Sequence, residues 1–253
     1  MSVHTFTTMG TVVSVRVPDN ETASSERARE LDAAIAATTQ EFEALNARFS
    51  LYREDSEISR IARGELTLPG ASDEMRAAYA ESLDWREKTN YTFTPHRPDG
   101  VLDLSGTIKA VGIQRSADAL ATAGFTTFLI NAGGDLLSSG RPSEGWRVGV
   151  ANPEDPELLT ATVELSEEFC AMATSGSAER GEHIWLRPDT DNSFRQVSVV
   201  AEDIMTADVL ATTIIAGGQD ALDTMTERFN IGVLVVKRDG SLLGNNRFQG
   251  LMK

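Results

Sequence analysis

Asp208 and Thr212 stand four residues apart in the apolar run TADVLATTIIAGG, residues 206–218. Positions i and i+4 of a helix share one face. A carboxylate and a hydroxyl would therefore project together from a segment otherwise suited to a core. Two explanations are open. Asp208 could favour a first helical turn through the helix dipole, with Thr212 bonding back to a carbonyl. The pair could instead be the protein's share of a hard-cation site. Mg2+ takes oxygen ligands, keeps waters, and is usually held by one or two protein groups plus substrate phosphates.

Three more stretches place reactive or ligand-binding residue types close together. NAGGDLL (131–137) ends an apolar strand with Gly133, Gly134 and Asp135. Paired glycines allow positive φ and close approach of a ligand, or simply a β-turn. DLSGTIKA (103–110) sets Asp103 at a strand end, then a turn with Gly106, then Lys109. Small residues at a helix start can offer N–H groups to a phosphate, with lysine as a point charge. A capped helix with a solvated lysine reads equally well. ATSGSAERGEHIW (173–185) gathers Ser175, Ser177 and several glycines before His183, which falls on an apolar strand. Ser175 and Ser177 alone are ordinary turn formers, and a single histidine is ordinarily structural.

The elements that must position these residues follow from periodicity. GTVVSVRV (10–17) alternates and is β-branched, so it is a strand. Leu31, Ile35, Thr38, Phe42, Leu45 and Phe49 form one stripe of a long amphipathic helix. EDSEISRIARG predicts a short helix that Ser56 caps and Gly64 ends. A third helix starts at Ser72 or Asp73, and NYTFTPHRPDG is a loop. A short strand then leads through Ser-Gly into a helix ended by Gly124. Strands dominate from there to RQVSVVAE. A helix over 206–217 follows, then another in DALDTMTERFN, and a terminal hairpin turns at Arg238, Asp239 and Gly240. Helices first and grouped strands later predict an α+β fold with antiparallel sheets, kept as a single domain over 1–253.

Composition narrows the function classes. The chain of 253 residues can bury a substantial core. A net charge of −15 disfavours nucleic acid as a partner. No apolar run is long enough to insert into a membrane, and the N-terminal residues show no export signal, so a cytoplasmic location is expected. Cys170 is the only cysteine, which excludes intrachain disulfides and cysteine zinc clusters; a buried inert thiol is expected there. With only His4, His96 and His183, a histidine-rich metal site is excluded as well. Phosphate-loop, dinucleotide-fingerprint, zinc-protease and nucleophile-elbow motifs are absent from the sequence.

Taken in order, MGT at Met9, FSLYREDSEISRIARG, LDLSGTIKA, LINAGGDLLSSG, ATSG followed by HI, and VSVV followed by TADVLATTIIAGG resemble the ApbE family. Its members are FAD:protein FMN transferases. The resemblance implies a T-fold-like α+β architecture, FAD as substrate, Mg2+ as cofactor, and FMN transfer to a Thr or Ser hydroxyl of an acceptor flavoprotein. Hydrolysis of FAD to FMN and AMP, or FAD binding without catalysis, are the other activities it leaves open. By matching motifs, Met9, Tyr52, Phe93, Thr94, Pro95, Asp103, Lys109, Gly133, Gly134, Asp135, Ser175, His183 and Trp185 fall in the flavin site. Gly106, through its carbonyl, Asp208 and Thr212 fall in the metal site, and His183 or Asp208 in the position of the base. This sequence departs from the family pattern at Ala110, Gln114, Leu186 and Ala211, and only residues 96–102 separate its F-T-P and D-L-S-G stretches.

Overall fold

In the computed structural model, which describes residues 1–176 and 193–253, the β-branched run at the start becomes a strand with one buried face. This strand, β2 (Thr11–Val17), pairs antiparallel with β1 (Ser2–Thr8). Val13, Val15 and Val17 are wholly buried, each worth about 1.5–3 kcal/mol relative to exposure. Strand β1 is not evident from the sequence, because its inward residues Ser2, His4 and Phe6 are only half-buried. Ser24 caps the long helix α1 (Ser25–Phe49), accepting the Arg27 N–H at 3.1 Å. Ser56 does the same for α2 (Glu57–Ala62), as expected, and Gly64 (φ 73°) follows its end. Helices α3 (Asp73–Lys88) and α4 (Ser105–Thr122) come next, then β3 (Phe128–Ala132), antiparallel to β2.

Those elements form the first of two compact units, Met1–Lys88 with Thr94–Gly133. Helices α1 and α4 meet where a Cβ on Gly112 would lie 2.6 Å from the Phe42 ring. Only glycine lets the buried Phe42 sit there, edge-on to Phe6 with ring centroids 5.8 Å apart.

The second unit is Thr89–Phe93 with Gly134–Lys253. Its strands β4 (Asp135–Ser139), β7 (Ala171–Gly176), β8 (Phe194–Ala201), β9 (Gly232–Lys237) and β10 (Leu242–Gly244) pair antiparallel in that order, with β5 (Trp146–Ala151) and β6 (Leu159–Leu165) as a separate hairpin. The turn joining β9 to β10 falls on the expected residues, with Gly240 at φ 83°. Helix α5 (Ile204–Arg228) packs on β7 and β8, and a short α6 (Asn246–Leu251), not foreseen from the sequence, docks through buried Phe248. The two helices expected around residue 218 are both present. They form one element broken at Gly218, whose φ 63° and ψ −146° are not helical.

Cys170, expected to be buried, is half-buried instead. Its Sγ–H donates to the Glu202 carbonyl at 3.0 Å. Burial pushes the thiol above its usual range, and the Asp203 and Glu202 carboxylates add to that. We expect iodoacetamide at mildly alkaline pH to modify folded protein about tenfold more slowly than urea-unfolded protein. Equal rates would show that the thiol is not protected.

Candidate functional site

Each unit gathers part of the expected set. In the first, Met9 and Gly10 form the two-residue turn of the β1–β2 hairpin, with φ 48° and 70°. Turns with φ positive at both positions favour Asn-Gly. Methionine there is strained, and strained residues concentrate at functional positions. The Met9 side chain packs against the cluster containing Leu45, Phe49, Leu104 and Ile108. The same cluster includes Leu104 and Ile108, which flank Gly106. Tyr52 is 82% exposed, presenting a large aromatic side chain to solvent.

The loop expected between the F-T-P and D-L-S-G stretches is closed tightly. His96 and Leu102 form an antiparallel bridge, and the Arg97 N–H donates to the Val101 carbonyl at 2.9 Å. The Asp103 N–H donates to the Pro95 carbonyl at 2.8 Å. A turn ending at Gly100 (φ 84°) thus clamps Pro95 directly against Asp103. Few residues are needed to bring the two stretches together, which is why so short a connection works here.

Asp103 also shapes the start of α4. Its Oδ1 accepts the Ser105 N–H at 2.9 Å, while Leu104, at the N-cap, offers no side-chain cap, and the first turn holds no acid. Gly106 and Lys109 lie in the first two turns, three residues apart on one face. A helix N-terminus of this kind favours an anion. Asparagine keeps the acceptor that holds Ser105, whereas alanine removes it. We therefore expect Asp103→Ala to weaken FAD binding about tenfold more than Asp103→Asn, read by flavin fluorescence titration. Equal losses would mean that the turn does not matter and only the charge does.

In the second unit, helix α5 begins two residues earlier than the sequence suggests. Asp203 is its N-cap, accepting the Thr206 N–H at 2.8 Å and the Thr206 hydroxyl at 2.7 Å. The D-x-x-T spacing carries that signal, but the apolar period starts later and masks it. The carboxylate at the start of the helix is therefore Asp203, at the N-cap. Asp208 lies beyond the first turn and is 5% exposed, so the dipole account of it fails. The carbonyl account of Thr212 fails too. Its Oγ1 pairs with Ser175 Oγ on β7 at 3.1 Å, while Thr213 is the residue that bonds back, to Val209 O at 2.7 Å.

Asp135, fully buried on β4, accepts the Thr174 N–H at 3.2 Å. Thr174 and Ser198 share a hydroxyl hydrogen bond at 2.8 Å across β7 and β8, a pair that sequence reading missed because its partners lie 24 residues apart. Gly133 and Gly134, both at positive φ (63° and 96°), link β3 to β4 as the sequence predicts. Phe93 is buried, its N–H donating to Thr89 Oγ1, and the His96 N–H donates to Thr94 Oγ1. His183 and Trp185 lie outside the described residues.

Among the described residues no group of three or more His, Cys, Asp or Glu side chains could hold a metal ion. The Asp208 carboxylate and the Thr212 hydroxyl are both hard oxygen donors, the kind of group that suits a dication such as Mg2+. Among the described residues, likewise, no helix is long and apolar enough to cross a membrane.

The ApbE family model matches residues 9–98 and 95–235. The chain belongs to the ApbE family. A FAD:protein FMN transferase of Haemophilus influenzae is 23% identical over 305 aligned positions, covering 93% of this ApbE chain and 86% of the relative. One from Vibrio cholerae is 29% identical over 58% of this chain and 48% of its own length. Solved structures share the fold. The ApbE protein of Thermotoga maritima superposes with a TM-score of 0.77 at 17% identity, covering 100% of this chain and 99% of that one. The flavin transferase ApbE of V. cholerae gives 0.73 at 21%, covering 99% and 98%. The α+β expectation, with antiparallel sheets and packed helices in an ApbE architecture, is thereby met.

Proposed function

We propose that this ApbE chain is a FAD:protein FMN transferase, moving FMN from FAD to a Thr or Ser hydroxyl of an acceptor flavoprotein, and that the whole chain acts as one ApbE domain. The observation that carries the reading is Asp208: a buried carboxylate beyond the first turn of α5, with a hydroxyl one turn on that is turned away from its own helix. Asp208 and Thr212 would hold Mg2+. A dication there would supply positive charge to offset that of the diphosphate.

The chain's own groups do the rest. Lys109 and the N-terminal turn of α4 bind diphosphate oxygens, and Asp103 sets the shape of that turn. By the family's motifs, Met9, Tyr52, Thr94, Pro95 and Gly133 in the first unit, Phe93, Gly134 and Asp135 in the second, and His183 and Trp185 are each proposed to bind flavin. The acceptor's oxygen forms a bond to the FMN phosphorus, and the bond from that phosphorus to AMP breaks. The acceptor's proton passes to a base in hydrogen-bond reach, a role for which the chain offers His183 and Asp208.

The test is incubation with FAD, Mg2+ and an acceptor flavoprotein, followed by denaturing electrophoresis. A fluorescent acceptor band is expected, with AMP released in equal amount. AMP formed without an acceptor would make the chain a FAD pyrophosphatase. FAD bound with no turnover under any dication would make it a binder only.

A further inference from the structure

The threonines of α5 divide by what their hydroxyls do. Thr213, Thr224 and Thr226 each donate back to a carbonyl four residues earlier, at 2.7, 2.7 and 2.8 Å. This is the ordinary choice, since a helical threonine has two χ1 rotamers and one of them reaches that carbonyl. Thr212 does otherwise. Its Oγ1 lies 3.1 Å from Ser175 Oγ, on the strand beneath the helix. Ser175 comes near the end of β7, in the ATSG stretch that the family resemblance assigns to the flavin site.

We infer that Ser175 is a positioning residue: it acts through Thr212, holding that hydroxyl in the rotamer that faces a cation beside Asp208. The inference rests on the metal role proposed above for Asp208 and Thr212. A hydroxyl whose oxygen gives a lone pair to a dication is a stronger hydrogen-bond donor, and Ser175 Oγ is placed to accept that bond. Partners that orient a metal ligand typically change metal affinity by about 10–100-fold. Without Ser175, Thr212 is free to turn to the Asp208 carbonyl, as its neighbour Thr213 turns to Val209. The oxygen would then leave the face it shares with the Asp208 side chain. Ser175 thus controls which of two rotamers Thr212 occupies, and contact with the flavin is not needed for that role.

The experiment titrates Mn2+ into the full chain, with and without FAD, and follows free Mn2+ by electron paramagnetic resonance. Ser175→Ala should weaken Mn2+ binding about tenfold, and Ser175→Thr, which keeps a hydroxyl, should restore most of it. In a Thr212→Val background, Ser175→Ala should add nothing further. The melting temperature without metal separates a merely structural role, which lowers that value and leaves the Mn2+ affinity unchanged. Unchanged affinity in Ser175→Ala, while Asp208→Ala loses binding, overturns this inference alone. Unchanged affinity in Asp208→Ala overturns the metal site itself. Equal losses in the alanine and threonine variants would overturn the hydroxyl as the agent.

Discussion

We expect Asp208→Ala to lower Mg2+-dependent AMP release from FAD by about a thousandfold, roughly 4 kcal/mol of transition-state stabilisation. Asp208 is the one formally charged side chain in its proposed ligand pair; Thr212 contributes only a dipole. Removing it deletes the larger part of the attraction for a dication, and a buried position leaves little water to take its place. Asp208→Asn separates charge from shape. The amide fills the same space without the charge, so folding should be preserved while turnover still falls steeply. Protein concentration, circular dichroism and melting temperature establish that both variants are folded. Turnover within about tenfold of the unsubstituted chain in the folded Asn variant would remove Asp208 from the metal site.

The same residue shows where sequence reasoning reaches and where it stops. Spacing alone put Asp208 and Thr212 on one face of a helix, and the helix is there. What spacing could not decide was whether Asp208 was a first-turn carboxylate favoured by the helix dipole, with Thr212 bonded back to a carbonyl. The decision needed two facts outside that window: Asp203 holds the cap position, and Ser175, 37 residues away, holds the Thr212 hydroxyl. Local signals with a mechanism behind them came through well. Ser56 and Gly64 around α2, and Gly240 in the last turn, all act as their residue types demand.

Elements without an apolar face were lost. Strand β1 carries no fully buried inward row, and α6 buries little besides Phe248. The clamp of Pro95 on Asp103 was also unreadable, because the loop's punctuation marks a turn without saying which backbone groups it joins. The two motif stretches were legible as separate patterns, and their direct hydrogen bond was not.

We expect Gly218→Ala to lower stability by about 3 kcal/mol, at the upper end for a single strained backbone position. With φ 63° and ψ −146°, Gly218 lies at the edge of a region that is essentially glycine's alone. Gly240, at φ 83° with nothing within 4 Å of an added Cβ, provides the reference. Alanine there meets only the left-handed penalty of about 1 kcal/mol. For a chain of this size the difference is a melting temperature lower by about 6–12 °C for Gly218→Ala against about 2–4 °C for Gly240→Ala.

The break at Gly218 serves the rest of its unit. Just before it, Gly217 lies so close to the segment Thr89–Phe93 that an added Cβ would sit 2.8 Å from Thr92 Cγ2. Beyond it, Arg228 donates to Asn90 Oδ1 at 2.8 Å. The break falls between these two contacts, both of which are to the segment Thr89–Phe93. If straightening the helix disturbs that segment, FAD affinity should fall along with stability. A Gly218→Ala variant that melts no earlier than Gly240→Ala would show that the helix accommodates the side chain by bending elsewhere. The break would then be a consequence of packing against Thr89–Phe93, and Gly218 would not be its cause.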